Sequence, residues 1–207
     1  MSISWEQIQA NIWKCNACKS HPRVELNIRQ QTGGSSARVR LLVVTIAPPF
    51  ANGAVEKTVA KSATNSPDDN VRRFLEKSLD LNWDQMNQRG LYLLHAVKCA
   101  ITIKNGYQNP PNEVVDTCAP IHFAQEFMKV RPAFVITLGQ VPRRAVIRIP
   151  GLTAPPQLGI SKPLQGEFEL VVGSHRFRLY VSRFIRPDSR EQVRTDLRKA
   201  ALAAGIL

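Results

Sequence analysis

Short apolar runs alternate along the chain with segments in which apolar residues recur every three or four positions. Unbroken runs rich in Val, Leu and Ile are typical of parallel strands covered on both faces. The pattern therefore predicts an α/β fold, a three-layer sandwich in which helices flank a central, mostly parallel four-stranded sheet. A further strand at 167–172 is expected to pair with the last core strand through a turn at Gly173-Ser174. The predicted core strands lie at residues 39–46, 91–97, 133–138 and 176–182.

Capping residues mark where two of the predicted helices begin. Ser4-x-x-Gln7 has the form of a capping box and opens a first helix that runs into the first cysteine. Asp188-x-x-Glu191 is interpreted in the same way as the start of the last helix. The predicted helices cover residues 5–13, 71–79, 111–129, a short stretch begun by Pro142, and 188–204.

A long polar segment follows the first strand. That strand ends at Ala47-Pro48-Pro49, and residues 51–69 contain turn-forming residues without a clear period. Loops at the carboxyl ends of parallel strands form the binding crevice of open α/β sheets. We therefore expect this segment to be a functional loop.

Composition limits the class of protein. The chain has 207 residues and 43% hydrophobic content, which suits one domain over residues 1–207 with a full core. No apolar run approaches the roughly 18 residues of a membrane-spanning helix. The first residues also lack the basic and apolar regions of a secretory signal. We therefore expect a cytoplasmic, monomeric protein.

The charge favours a polyanionic partner. Lys and Arg number 28 against 16 Asp and Glu, giving a formal net charge of +12, which is typical of nucleic-acid-binding proteins. Arginines recur every four residues from Arg186 to Arg198, so a helix would present guanidinium groups to phosphates along one face. The alternative is a solvated helix face partly neutralised by Glu191 and Asp196. The arginines predicted to contact DNA are Arg143, Arg144, Arg183, Arg190 and Arg194.

The cysteines are the strongest chemical signal. Cys15 and Cys18 form a Cys-x-x-Cys pair, and Cys99 and Cys118 follow far downstream. Two thiolates three residues apart can hold one metal ion, with the other ligands delivered from distant segments. Such a centre would tie the N-terminal segment to the rest of the domain. Two disulfides, a redox-active pair or four unrelated buried thiols are the alternatives, and ligand type alone does not separate zinc from iron–sulfur.

Several segments together resemble one protein family. The chain is similar to the iron–sulfur-containing branches of the uracil-DNA glycosylase superfamily, families 4 and 5, over nearly its whole length. The similarity implies a monofunctional DNA glycosylase of base excision repair, in which all four cysteines hold a [4Fe–4S] cluster, with zinc as the less favoured metal. The matching segments are residues 43–48 with an Ala-Pro turn, 97–99 (Val-Lys-Cys), 109–113, Cys118, 136–139 and 181–189.

Departures from the family pattern fall at the positions that perform chemistry. Family 4 has a Glu where this chain has Ile46, whereas family 5 uses an Asp that corresponds to Asp69, so the resemblance is closer to family 5. Asp69 is therefore the predicted catalytic carboxylate, with Asp68 and Glu56 as substitutes. Asn52 corresponds to a catalytic Asn in the family loop. Without the resemblance, Asp69 would be interpreted as a helix N-cap.

Two further substitutions concern the base itself. His95 stands where the family has a base-reading Asn, and Arg186 stands where it has a catalytic His. Both are predicted to act in catalysis, and His95 also in base binding, although a His at the end of an apolar strand is usually a buried structural residue. The other predicted base-binding residues are Ala47, Pro48 and Phe50, the last as a stacking ring or a residue closing the core. The expected partner is single- or double-stranded DNA with a damaged base, although the altered motifs also suit a catalytically silent relative that binds DNA, or a flipped base, through the same pocket.

Overall fold

The computed structural model describes residues 3–22, 24–29, 38–47, 69–102, 109–159 and 165–207. Within these ranges the chain forms an α/β fold with helices on both sides of a mixed sheet. The strands are β1 (Val24–Arg29), β2 (Leu41–Thr45), β3 (Leu91–His95), β4 (Cys99–Ile101), β5 (Phe134–Leu138), β6 (Leu152–Thr153), β7 (Gly166–Val172) and β8 (His175–Ser182).

The main sheet has six strands in the order β3-β2-β5-β8-β7-β6. The strands from β3 to β8 pair in parallel, whereas β7 and β6 pair antiparallel. The prediction of four strands was therefore wrong. The predicted pairing of β7 with β8 through a turn at Gly173-Ser174 is confirmed. This pairing makes β7 a further strand of the main sheet. The remaining strand, β6, has only two residues, too few to produce an alternating pattern.

A separate two-stranded sheet joins β1 and β4. These strands pair antiparallel, with Val24 opposite Ile101 and Arg29 opposite Cys99. The pairing brings the segment after the Cys-x-x-Cys motif against the strand that carries the third cysteine. Neither strand was predicted, because one is polar and the other has only three residues.

The helices start where local capping allows. Ser4 accepts a hydrogen bond from the Gln7 amide, as predicted, but the N-cap of the last helix is Ser189, not Asp188. None of the described helices is long and apolar enough to cross a membrane. They are α1 (Trp5–Lys14), α2 (Asp69–Leu79), α3 (Trp83–Gln88), α4 (Asn112–Cys118), a π-helical turn (Ala119–Phe123), α5 (Ala124–Val130), α6 (Gln140–Ile147), a 3-10 turn (Pro156–Leu158) and α7 (Arg190–Ala203).

Each core strand contributes to two hydrophobic cores. In β2, Leu42 and Val44 face one core with helices α4 to α6, while Leu41 and Val43 face the other with α2, α3 and α7. Alternate residues of a strand point to opposite faces, so an unbroken apolar run is required when both faces are covered. The observed layers therefore explain the apolar runs in the sequence.

A buried ion pair lies beside the parallel strands. Lys98 is 1% exposed and pairs with Glu126, which is 0% exposed. The Lys98 ammonium also donates to the His95 carbonyl at 2.8 Å and lies 5.6 Å from the centre of the Phe123 ring. These contacts attach the segment between β3 and β4 to α5 and to the π-helical turn that follows Cys118.

Removing one partner of this pair leaves an uncompensated buried charge. We expect Glu126→Ala to lower the free energy of unfolding by about 3–5 kcal/mol. Glu169→Ala breaks an exposed ion pair with Arg176 and should cost about 0–1 kcal/mol. Urea denaturation followed by circular dichroism measures both, and equal losses in the two variants would contradict the importance of the buried pair.

Candidate active site

A cavity of about 420 Å³ lies at the carboxyl ends of β2, β5 and β8. Its size is within the usual range for small-molecule sites, and its position is where open α/β sheets bind their ligands. Residues that follow each of the three strands contribute to its wall. The lining residues whose side chains could bind or react with a ligand are Asn109, Gln140, Arg143, Arg183, Phe184, Arg186 and Asp188.

Gly139 allows two walls of the cavity to approach closely. It has a φ of 105°, and its amide donates to the Ser182 carbonyl at 3.1 Å. A Cβ atom at this position would lie 3.2 Å from the Cβ of Phe184. Glycine therefore satisfies both the backbone conformation and the close contact. Phe184 keeps 42% of its surface exposed and lines the cavity.

Ser189 organises the loop that carries Arg186 and Asp188. Its hydroxyl donates to the Phe184 carbonyl at 2.7 Å and accepts from the Arg186 amide at 3.2 Å. Since Ser189 is buried, these hydrogen bonds are shielded from water and define the loop geometry. They fix the backbone between Phe184 and Arg186, two residues that line the cavity. The side chain of Ser189 thus stabilises the loop and makes no hydrogen bond as a helix cap.

The two adjacent arginines of α6 have different environments. Arg143 is 1% exposed and lines the cavity, and burial lowers its pKa. Arg144 instead forms a two-pronged pair with Asp116 at 2.6 and 2.5 Å, and Arg148 joins the same carboxylate. The Arg144 hydrogen bond, assisted by Arg148, lowers the pKa of Asp116 to about 2 despite partial burial. Arg143 is thus a cavity residue, whereas Arg144 is part of an ion-pair network.

The remaining predicted DNA-contacting arginines are also separated by the fold. Arg183 is exposed and lines the cavity. Arg190 lies at the start of α7 with its guanidinium 5.8 Å from the centre of the Phe74 ring. Arg194 pairs with Glu191 at 2.8 Å. Their proposed contacts with DNA stay predictions.

His95 is buried at the end of β3 and is 4% exposed. Its Nδ1 and the Thr45 hydroxyl share a hydrogen bond of 2.7 Å. Burial, together with the charge of Lys98, lowers the pKa of His95 to about 3, so the imidazole is neutral at physiological pH. His95 is not among the described residues that line the cavity. Its role in base reading stays a prediction.

The predicted residues of the first loop are only partly described. Ala47 is buried after β2, next to Ile46, which lines the cavity. Asp69 is the first residue of α2, and its side chain is outside the described part of the chain. The other predicted residues lie outside the described residues, namely Pro48, Phe50, Asn52, Glu56 and Asp68.

Sequence reasoning missed several residues of the cavity wall. Gln140 directly follows the Leu-Gly strand end, and Asn109 belongs to a recognised motif, so position alone could have indicated both. Phe184 carried no sequence signal beyond its place after the last strand. Asp188 was interpreted as a helix cap, and that interpretation hid its place in the cavity.

The four cysteines meet at a second, small cavity. Cys15, Cys18, Cys99 and Cys118 all line it, and all four are free thiols. The Lys98 amide donates to the Cys118 sulfur at 3.4 Å. The donor set therefore matches the chemistry of a thiolate-held metal or cluster. No group of three or more His, Cys, Asp or Glu in the described ranges, however, is arranged so that it could hold a metal ion.

Two of the four thiols are weaker acids than an exposed cysteine. Burial and the neighbouring Cys15 raise the pKa of Cys18, and burial raises the pKa of Cys118 to about 12. A reactive cysteine needs a lowered pKa, because the thiolate is the nucleophile. Without a bound metal, these two thiols are therefore protonated and unreactive at neutral pH.

Comparison with known proteins identifies the family. The family model "Uracil DNA glycosylase superfamily" matches residues 32–198, which is most of the chain and includes the whole candidate active site. The chain therefore belongs to the uracil DNA glycosylase superfamily. Most members of this superfamily are DNA glycosylases, so a function of this kind, with DNA as partner, is indicated. A search of curated proteins finds no match.

The buried neutral imidazole predicts a pH dependence of stability. Unfolded His95 takes up a proton below about pH 6.5, whereas in the folded protein it does so only near pH 3. As the pH falls through this window, the unfolded state binds more protons, so stability decreases by about 1.4 kcal/mol per pH unit.

His95→Asn removes this contribution. Urea denaturation between about pH 6 and about pH 4 should show a steeper loss of stability in the original protein than in the variant, by about 1.4 kcal/mol per pH unit. All other titrating groups are common to the two proteins. Parallel pH profiles would show that His95 is not kept neutral by the fold.

Proposed function

We propose that this protein is a monofunctional DNA glycosylase of base excision repair. It would remove uracil or a related deaminated or damaged base by flipping the nucleotide and hydrolysing the N-glycosidic bond. The observation that carries the proposal is the cavity at the carboxyl ends of β2, β5 and β8, inside the segment that matches the superfamily. Flipping is required because the reacting bond cannot be reached while the base is stacked in a duplex.

The cavity wall offers groups suited to a flipped base. Asn109 and Gln140 carry side-chain amides, each of which supplies donors and an acceptor for the edge of a pyrimidine or purine. Phe184 offers an exposed aromatic ring on which a base can stack. These residues supply the base recognition in the proposal, together with Ala47, Pro48, Phe50 and His95 from the family resemblance.

Arg186 is proposed to stabilise the departing base. When the N-glycosidic bond breaks, its electron pair stays on the base, which becomes an anion. A guanidinium group is ionised at every physiological pH and forms strong charge-assisted hydrogen bonds. The Ser189 hydroxyl holds the Arg186 backbone at the cavity, which supports a preorganised position for this charge.

A carboxylate is needed on the other side of the bond. Positive charge builds up on the sugar, and a carboxylate can stabilise that charge and orient the attacking water. Asp69 is proposed for this role, because it opens α2 at the position of the family 5 Asp, with Asn52 assisting. Asp188 is the second candidate, since it lines the cavity directly.

A [4Fe–4S] cluster held by Cys15, Cys18, Cys99 and Cys118 belongs to the same proposal. Four thiols around one cavity and an amide that donates to the Cys118 sulfur support it. When bound, such a cluster would connect the segment after α1 with β4 and α4. Zinc is the alternative metal for the same ligands.

The direct test is a cleavage assay on labelled oligonucleotides. Substrates carry uracil, hypoxanthine, xanthine or hydroxymethyluracil in single- and double-stranded form, and alkali reveals abasic sites. We expect cleavage after alkali, and none without it, on at least one substrate. The apolar Ile46 at the cavity favours the alternative of a silent DNA-binding relative. Tight, salt-sensitive DNA binding without any cleavage would establish that alternative.

The carboxylate role predicts a specific loss of activity. In Asp69→Asn, the single-turnover excision rate should fall at least about 100-fold while DNA binding is retained, because a neutral amide cannot stabilise the sugar cation. Asp80→Asn, at the far end of the same helix, is the matched control and should be unaffected. A larger loss in Asp188→Asn than in Asp69→Asn would assign the carboxylate role to Asp188.

The cluster predicts colour and iron. Protein purified without oxygen should show broad visible absorption and about four irons per chain. Cys118→Ser should lose both, whereas the neighbouring Thr117→Ser should keep them. A colourless protein containing one zinc would replace the cluster by a structural metal site, and a protein with neither metal would leave the thiols as core residues.

A further inference from the structure

We propose that a basic groove beside the active-site cavity binds the sugar–phosphate backbone of the strand that carries the target base. The groove has a volume of about 640 Å³ and lies between α2 and the segment that leads into α7. This inference rests on the proposed function, because it assumes that a nucleotide enters the neighbouring cavity. The residues that carry it are Arg73, Lys77, Arg186 and Arg190.

The groove has cations on both walls. Arg73 and Lys77 are four residues apart on α2, so they lie on one face of that helix, and both are exposed. Arg186 and Arg190 line the opposite wall and are exposed as well. Backbone phosphates carry one negative charge each, and Lys and Arg are the usual side chains that neutralise them.

The acidic residue at the groove is already engaged. Glu76 accepts a hydrogen bond from Arg72 at 3.0 Å and another from the Trp83 amide at 3.1 Å. Its charge is therefore largely compensated by groups outside the groove. The described lining keeps a positive potential suited to an anion.

Contacts between the two walls set the shape of the groove. The Arg190 guanidinium lies 5.8 Å from the centre of the Phe74 ring, which extends it across toward α2. Arg198 donates to the Ser78 carbonyl at 2.9 Å and connects the same two helices. Arg190 is thus held in place before a ligand arrives, which lowers the entropic cost of binding.

Arg186 connects the groove to the cavity. It lines both spaces, so a strand lying in the groove has a nucleotide next to the cavity opening. Of the five arginines predicted to contact DNA, Arg190 is the one in the described lining of the groove. The groove therefore identifies which exposed cations track the strand.

The test is the salt dependence of binding to undamaged DNA. Fluorescence anisotropy with a labelled oligonucleotide, from about 50 to about 200 mM KCl, gives the slope of log K against log salt concentration. Lys77→Gln and Arg190→Gln should each reduce the magnitude of this slope by about 0.7 on single strands or about 0.9 on duplex. Thermal unfolding checks that each variant is folded, and either variant alone suffices for the test.

Arg176→Gln and Lys129→Gln remove the same charge at the opposite edge of the sheet, where β8 begins and α5 ends. These controls should keep the original slope. The proposal is wrong if both groove variants keep the original slope, or if the controls lose as much of the slope as the groove variants do. It is also wrong if polyglutamate competes for the protein as well as unlabelled DNA does. Reduced slopes in the groove variants, together with no base excision by the original protein, would support the groove and reject the glycosylase activity. Base excision together with unchanged slopes would support the glycosylase activity and reject the groove.

Discussion

The parallel pairing of four strands determines where every candidate functional group lies. Thr45 pairs with His95 and Leu138 pairs with Ser182, so β2, β3, β5 and β8 all end at one edge of the sheet. Segments that are distant along the chain therefore converge at this edge. The places of the cavity, of the Arg186 loop and of Ile46 and Ala47 after β2 are consequences of this register. A shift of one strand's pairing register by a single residue would displace these groups from one another. It would also turn the side chains of that strand toward the wrong core.

Lys98 connects the cysteine cavity to this edge. Its amide contacts the Cys118 sulfur, and its ammonium contacts the His95 carbonyl and Glu126. One residue therefore joins the thiol environment to the end of a parallel strand. The connection is made in the interior, where ion pairs and hydrogen bonds are least weakened by water. The position of the Cys118 thiol and the conformation of the strand end are therefore linked through this residue.

The sequence allowed the core strands and the convergence of the cysteines to be predicted, because apolar runs and the family motifs are local signals. The surroundings of individual side chains could not be predicted in the same way, because they depend on residues that are distant along the chain. Arg143 and Arg144 are adjacent, yet one is buried at the cavity and the other binds Asp116, a partner that only the fold provides. Asp188 matched a capping pattern, but Ser189 occupies the N-cap position. Short strands such as β4 and β6 form because a partner strand is present and carry no pattern of their own.

Arg186 belongs to two spaces at once, and this affects how its contribution can be measured. A substitution there changes the lining of the cavity and of the groove together. The contribution of Arg186 to each space is then not separable from a single variant, and the effects of second substitutions in either space will not simply add to it. Two double-mutant cycles, one with a residue of the groove and one with a residue of the cavity, divide its free energy between the two spaces.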